Sequence, residues 1–299
     1  MLSEAAQRVL LIVPGFLTQK GLIGRELEGS PLESIDPTRA LDGRAWLNAV
    51  TSIVQEDVHV EVFEWESMSV EAILIRILLL KSRPDGLTSS RGALDPKWLH
   101  MAQEVFERWM SVFQECENVT DQLRHKISGY PPSTQLYIMG HSLGGRLVLN
   151  AAQSMPQSQI SSIKMSAWAP AMYQDEFDWD RGARLPFPPE IIFSRHDYIL
   201  KFLFPLGQGS LGREPWKSRL FNHLKRAFHH TLTTSPIGLS GPPISSPYPA
   251  SRDLTSQKVG HLSYLHAVPD LFRKSVYLSE LCRSLPRRGT LESRSTPSE

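Results

Sequence analysis

Long uninterrupted apolar stretches are missing from this 299-residue chain. The longest, "AILIRILLL" from Ala72 to Leu80, is broken by Arg76 and falls far short of the roughly 20 residues that cross a bilayer. It reads as a buried or amphipathic helix, with a lipid-facing lid or membrane-surface helix as the alternative. The N-terminal stretch does not read as a secretory leader. In "MLSEAAQRVLLIVPGF" the apolar core runs only from Val9 to Val13, behind Glu4 and Arg8, and Pro14-Gly15 stops it. Cysteine is scarce. Cys116 and Cys282 are far apart and in no metal-ligand spacing. They point to a reducing compartment, or to a fold that does not depend on disulfides. Charge of one sign is lacking as well, since the formal net charge is +1. With no basic stripe carrying interleaved aromatics, nucleic acid is excluded as a partner. No internal repeat occurs, and no metal or organic cofactor is expected.

What is present fits a soluble globular protein, with 41% hydrophobic and 21% charged residues. "RVLLIVPGF" (8–16) is a continuous apolar run, as expected of a strand covered on both faces. "LDGRAWLNAVTSI" (41–53) reads as helix, and the alternating "VHVEVFEWES" (58–67) as a second strand. A short helix over 72–81 precedes a turn-rich stretch, 82–92. From Asp95 to about Ile127 the pattern is helical. Trp98, Met101, Ala102, Val105, Phe106, Trp109 and Phe113 recur there at three- and four-residue steps. Strands follow at 134–140, 160–170 and 190–195, with a helix at 145–155. Strand alternating with helix predicts an α/β fold, a mainly parallel sheet with crossover helices. We expect one domain over 1–286, an irregular insertion or cap at about 207–250, and a polar, disordered tail at 287–299.

The stretch "IMGHSLGGRL" (138–147) carries chemistry. Gly140-His141-Ser142-Leu143-Gly144 is a G-x-S-x-G element between an apolar strand and a helix. Such a turn holds its serine at a strained backbone angle with the hydroxyl projecting from the sheet edge. The alternative is an ordinary glycine-rich turn. Ser142 is the candidate nucleophile, and the N–H of Leu143, at a helix N-terminus, a candidate oxyanion donor. His141 reads as a packing residue or as one that supports the site from behind, rather than as the base.

A serine hydroxyl needs a base, and the base an orienting acid. Asp197 in "IIFSRHDYIL" falls just after a buried strand, where active-site groups gather in such sheets. Asp175, Asp178 and Asp180 are its rivals but resemble an acidic surface loop. His261 in "KVGHLSYLHAV" lies on a loop before a closing helix, which suits a base; His266 and the His229-His230 pair are weaker candidates. The second oxyanion donor is expected from "IVPGF" (12–16), from the N–H of Phe16 with Gly15 shaping the turn.

Taken together, "FEWES" (63–67), "GHSLGGRL" (140–147), "SRHDYIL" (194–200) and "VGHLSYL" (259–265) resemble the α/β-hydrolase superfamily over roughly residues 8–275. More narrowly they are similar to the transmembrane-and-coiled-coil-domain-type hydrolase-like proteins. These carry a Trp-Glu pair after the second strand, an elbow, an Asp-Tyr after a late strand and a Gly-His-x-x-Tyr. The resemblance implies an α/β-hydrolase fold and a Ser142, Asp197 and His261 triad. Unlike some of those proteins, this chain has no long membrane span. It also begins almost at its first central strand, so the leading antiparallel strands common in the superfamily are expected to be lacking. The expected function is a serine hydrolase acting on small-molecule or lipid-like carboxylic esters, cytoplasmic, with peripheral membrane contact as an extension. The alternative is a catalytically silent binding or scaffold protein on the same fold.

Overall fold

The computed structural model describes residues 7–15, 43–65, 115–197, 199–204, 235–245 and 248–283. Their centre is a sheet of six parallel strands in the order β2-β1-β3-β4-β5-β6. The strands are β1 (Arg8–Val13), β2 (Val58–Val62), β3 (Gln135–His141), β4 (Lys164–Trp168), β5 (Glu190–Phe193) and β6 (Ser251–Asp253). The helices that matter here are α1 (Gly43–Thr51), α2 (115–128), α3 (Leu143–Ser154) and α4 (Tyr264–Lys274). Consecutive parallel strands with helical crossovers, and a sharp strand-to-helix turn after the central β3, make this an α/β-hydrolase fold.

The burial follows from the sequence pattern. β1 is "RVLLIV" and β3 "QLYIMGH", both buried beyond their first residue, because helices cover both faces of the sheet. On one face, the Cβ that Gly140 lacks would collide with Gly144 and Val148 of α3. On the other, the next residue, His141, packs against Trp46 of α1 and Tyr264 at the start of α4. β2, at the sheet edge, is "VHVEV" and only its first valine is fully buried.

Elements differ from the sequence expectation in small ways. The run 160–170 is strand only from Lys164, since Gln157–Ile160 forms a helical turn that delivers the chain to β4. The second strand stops at Val62 rather than residue 67. The edge strand β6 has only three residues, which carry no readable period. Of the expected insertion at 207–250, the described part includes a helical turn, Ile237–Ser240, whose Gly238 N–H donates to Pro170 O and whose Gly238 carbonyl accepts from Ser194. The expected helix at 72–81, the 95–114 part of the expected helix at 95–127, the turn region 82–92 and the tail 287–299 lie outside the described residues.

A buried polar network ties the sheet to the chain beyond α4. Glu190 opens β5 with its carboxylate out of solvent. Ser166 donates to its Oε2 at 2.8 Å, and the Ser166 oxygen accepts from Trp168 Nε1 at 2.8 Å. Ser275 also donates to Oε2, and Val276 N–H donates to Oε1 at 3.0 Å.

Candidate active site

β3 ends and α3 begins with a single residue between them, Ser142. Its backbone sits at φ 58°, ψ −121°, a region that side chains other than glycine rarely occupy. Hydrogen bonds over-determine this angle. Ser142 N–H donates to Trp168 O at 2.9 Å, and its carbonyl accepts from Ala171 at 3.0 Å and Arg146 at 3.1 Å. The turn is tight enough that Gly144 has no room for a Cβ, which would overlap the carbonyl of Val13. The loop after β1 passes equally close. A Cβ on Gly15 would lie 2.6 Å from the Ser142 Cβ and 3.2 Å from Leu143 N.

The structure brings Ser142, His261 and Asp197 into one hydrogen-bonded chain. Ser142 Oγ lies 2.8 Å from His261 Nε2, and His261 Nδ1 lies 2.6 Å from Asp197 Oδ2. A carboxylate only accepts, so Nδ1 carries the ring proton and neutral Nε2 accepts from the serine hydroxyl. Asp197 sits in the loop after β5, and its other oxygen accepts from Leu200 N–H at 2.9 Å. His261 opens the turn that leads into α4. All three are buried, with exposures of 2%, 3% and 0% for Ser142, His261 and Asp197.

The rivals lie elsewhere. Asp175, Asp178 and Asp180 are exposed, and Asp178 caps the short helix Trp179–Ala183 through Arg181 N–H. The loop that holds them is pinned to α3 by Arg146, which grips Glu176 with two bonds of 2.9 and 2.8 Å. His266 is exposed on α4. His229, His230 and the expected oxyanion residue Phe16 lie outside the described residues. Leu143 N–H is the first of α3 and so has no acceptor within the helix. Among the described residues no cluster of His, Cys, Asp or Glu could hold a metal, and no helix is long and apolar enough to cross a membrane.

Two residues of the site carry more than sequence reasoning assigned to them. Trp65, from "FEWES", donates its indole N–H to Pro14 O at 2.9 Å in a buried bond. It thereby fixes the loop that Gly15 carries over the elbow. Trp65→Phe removes the donor and strands a buried carbonyl, so it should cost about 1–3 kcal/mol in chemical denaturation. A loss under ~0.5 kcal/mol would show that the carbonyl finds another partner.

His141 is the other. Its ring lies 5.1 Å from Trp46, 4.8 Å from His261 and 5.4 Å from Tyr264, centroid to centroid. Burial holds its imidazole well below the usual histidine range, and His261 adds to the shift. Burial likewise keeps the Tyr264 phenol protonated, helped by the charges of Asp197 and Asp253. The unfolded chain takes up the His141 proton near 6.5, and the buried ring only at much lower pH. Between those values the unfolded state binds more protons, so stability rises with pH there. Stability should therefore fall as pH drops below about 6.5, with this one proton adding at most ~1.4 kcal/mol per pH unit. Denaturation midpoints between pH 4 and 7 should fall less steeply in His141→Phe; an unchanged slope would remove His141 as the cause.

The described residues also line an open groove of about 800 Å³ whose walls include Arg195, Lys201, Leu239 and Ile244 but none of the three hydrogen-bonded residues. No model of a known protein family matches the chain, and no curated protein matches it significantly. Among solved structures, it is similar to the crystal structure of LpqC, a poly(3-hydroxybutyrate) depolymerase from Bordetella parapertussis. The two share 14% identity at a TM-score of 0.31, over 93% of this chain and 86% of that one.

Proposed function

We propose that the protein is a serine hydrolase of carboxylic esters working through an acyl-enzyme on Ser142. The observation that carries this reading is the chain Ser142 Oγ, His261 Nε2, His261 Nδ1, Asp197 Oδ2, with links of 2.8 and 2.6 Å, built on a strained turn. Ser142 Oγ attacks the ester carbonyl carbon while its proton passes to His261 Nε2. The carbonyl oxygen becomes an oxyanion, held by the N–H of Leu143 and, on this reading, of Phe16. Collapse breaks the ester C–O bond, and His261 returns the proton to the departing alkoxide. A water then attacks the acyl carbon and gives a proton to His261; the C–Oγ bond breaks, the carboxylic acid leaves, and His261 returns the proton to Ser142 Oγ. Asp197 holds the tautomer and stabilises the imidazolium.

The quoted motifs support a place beside the transmembrane-and-coiled-coil-domain-type hydrolases within the superfamily. A lipid-like acyl group is the substrate class we favour. One of two apolar stretches that could serve it, "YILKFLFPLG" (198–207), puts Ile199, Leu200 and Phe204 into the core, so the preference draws on Ala72–Leu80. The reading includes a cytoplasmic location with peripheral membrane contact, supported by two cysteines that are both free thiols.

A second reading, a binding or scaffold protein without turnover, draws on the near-complete burial of Ser142. A fluorophosphonate probe separates the two. Covalent labelling that vanishes in Ser142→Ala supports the enzyme. A well-folded protein that never labels overturns it. p-Nitrophenyl esters of increasing chain length, run beside phospholipids and thioesters, then define the acyl group; peak activity on the shortest ester would sink the lipid preference.

A further inference from the structure

We propose that His141 is a positioning residue that clamps the main chain of His261, so that two consecutive elbow residues grip the base from both ends. This rests on the hydrolase reading above. In a regular strand neighbouring side chains point to opposite faces. Here the positive φ of Ser142 breaks that alternation. Ser142 Oγ reaches the imidazole of His261, while His141 Nε2 lies 3.2 Å from the His261 carbonyl oxygen. A carbonyl can only accept, so the proton is on His141 Nε2. A neutral imidazole has one N–H, and that carbonyl claims it.

The surroundings fix the clamp itself. Trp46 of α1 and Tyr264 of α4 stand against the His141 ring, and Trp168 packs on both of them. The carbonyl it holds belongs to a turn preceded by Gly260, where a Cβ would meet nothing closer than 3.7 Å. A side chain would fit at Gly260, and two directional bonds hold the turn: Ser263 N–H donates to Gly260 O at 2.9 Å, and His141 holds the next carbonyl. Keeping His261 Nε2 on the serine is a matter of less than an ångström. A misplacement of about 1 Å can lower turnover a hundredfold.

Two variants separate the bond from the packing. His141→Phe keeps an aromatic ring and deletes the donor. His141→Gln deletes the ring and keeps an N–H within reach. We expect His141→Phe to lower kcat and the fluorophosphonate labelling rate by about 10- to 100-fold with KM unchanged. His141→Gln should recover most of that loss even where its melting temperature is the lower of the two. Equal rates in His141→Phe and wild type, or equal impairment in both variants, would overturn the clamp. A readout independent of turnover is the downfield proton resonance of the His261–Asp197 bond. It should shift or broaden in His141→Phe and persist in His141→Gln. If the wild type never labels, the hydrolase reading fails on its own, and this resonance still decides the clamp: no change in His141→Phe would refute it.

Discussion

Ser142→Ala should lower kcat/KM for ester hydrolysis by about 10³- to 10⁶-fold, equivalent to roughly 4–8 kcal/mol of transition-state stabilisation. The neighbouring His141 commits its one N–H to the His261 carbonyl, and His261 has its Nδ1 committed to Asp197. His261→Ala should fall by a similar factor, because the two act as a unit. Asp197→Ala should be the mildest of the three, since the imidazole keeps its link to Ser142. Asp197→Asn is a sharper probe. Its amide can donate to Nδ1 and so favours the tautomer with the proton on Nε2, facing the serine; a loss of about 10⁴ is expected with the fold unchanged. Steady-state kinetics on one p-nitrophenyl ester measures all four. Activity in His261→Ala equal to wild type would refute the assignment of the base.

Glu190→Ala should destabilise the fold by about 3–5 kcal/mol, as much as truncating a large core side chain. The carboxylate accepts from Ser166, Ser275 and Val276, three donors on β4 and on the chain after α4. Alanine leaves all three buried without an acceptor, at roughly 1–3 kcal/mol each when fully stranded. Ser275 relays the effect, since its oxygen also accepts from Tyr277 and Leu278 N–H at 3.3 and 3.0 Å. Glu190→Gln, which keeps an acceptor oxygen, should cost less. Urea midpoints at constant slope give the values, and a loss below ~1 kcal/mol would mean that water takes over the network.

These two residues mark what the sequence shows and what it hides. Ser142 is legible because its turn needs a strand, small neighbours and a helix in a fixed order, all written within ten residues. Asp197 and His261 are legible from position alone, after a buried strand and before the closing helix, and the structure puts both beside Ser142. Glu190 is hidden. A charged residue at a strand start reads as solvent-facing, and its three donors come from 24, 85 and 86 positions away. His141 is legible as a packing or supporting residue, but its bond to His261 depends on a reversal of side-chain direction that no period encodes. The indole of Trp65 is likewise readable as a motif letter and not as a donor to Pro14.

The sheet order bears on how the chain is made. β1 lies between β2 and β3, with Arg8 in register with Gln135. At a synthesis rate of roughly 5–20 residues per second, β1 emerges on the order of 10 s before the strand that flanks it on its inner side. During that interval β2 is its one strand neighbour among the described residues, and a lone parallel pair is weak. The Ser142 turn cannot be strained into place until β1 docks, because the Val13 carbonyl and Gly15 press on it from that side. The Ser142 turn thus depends on β1 being in place. Slowed synthesis between residues 60 and 135 should prolong the exposure of an aggregation-prone strand rather than ease its folding.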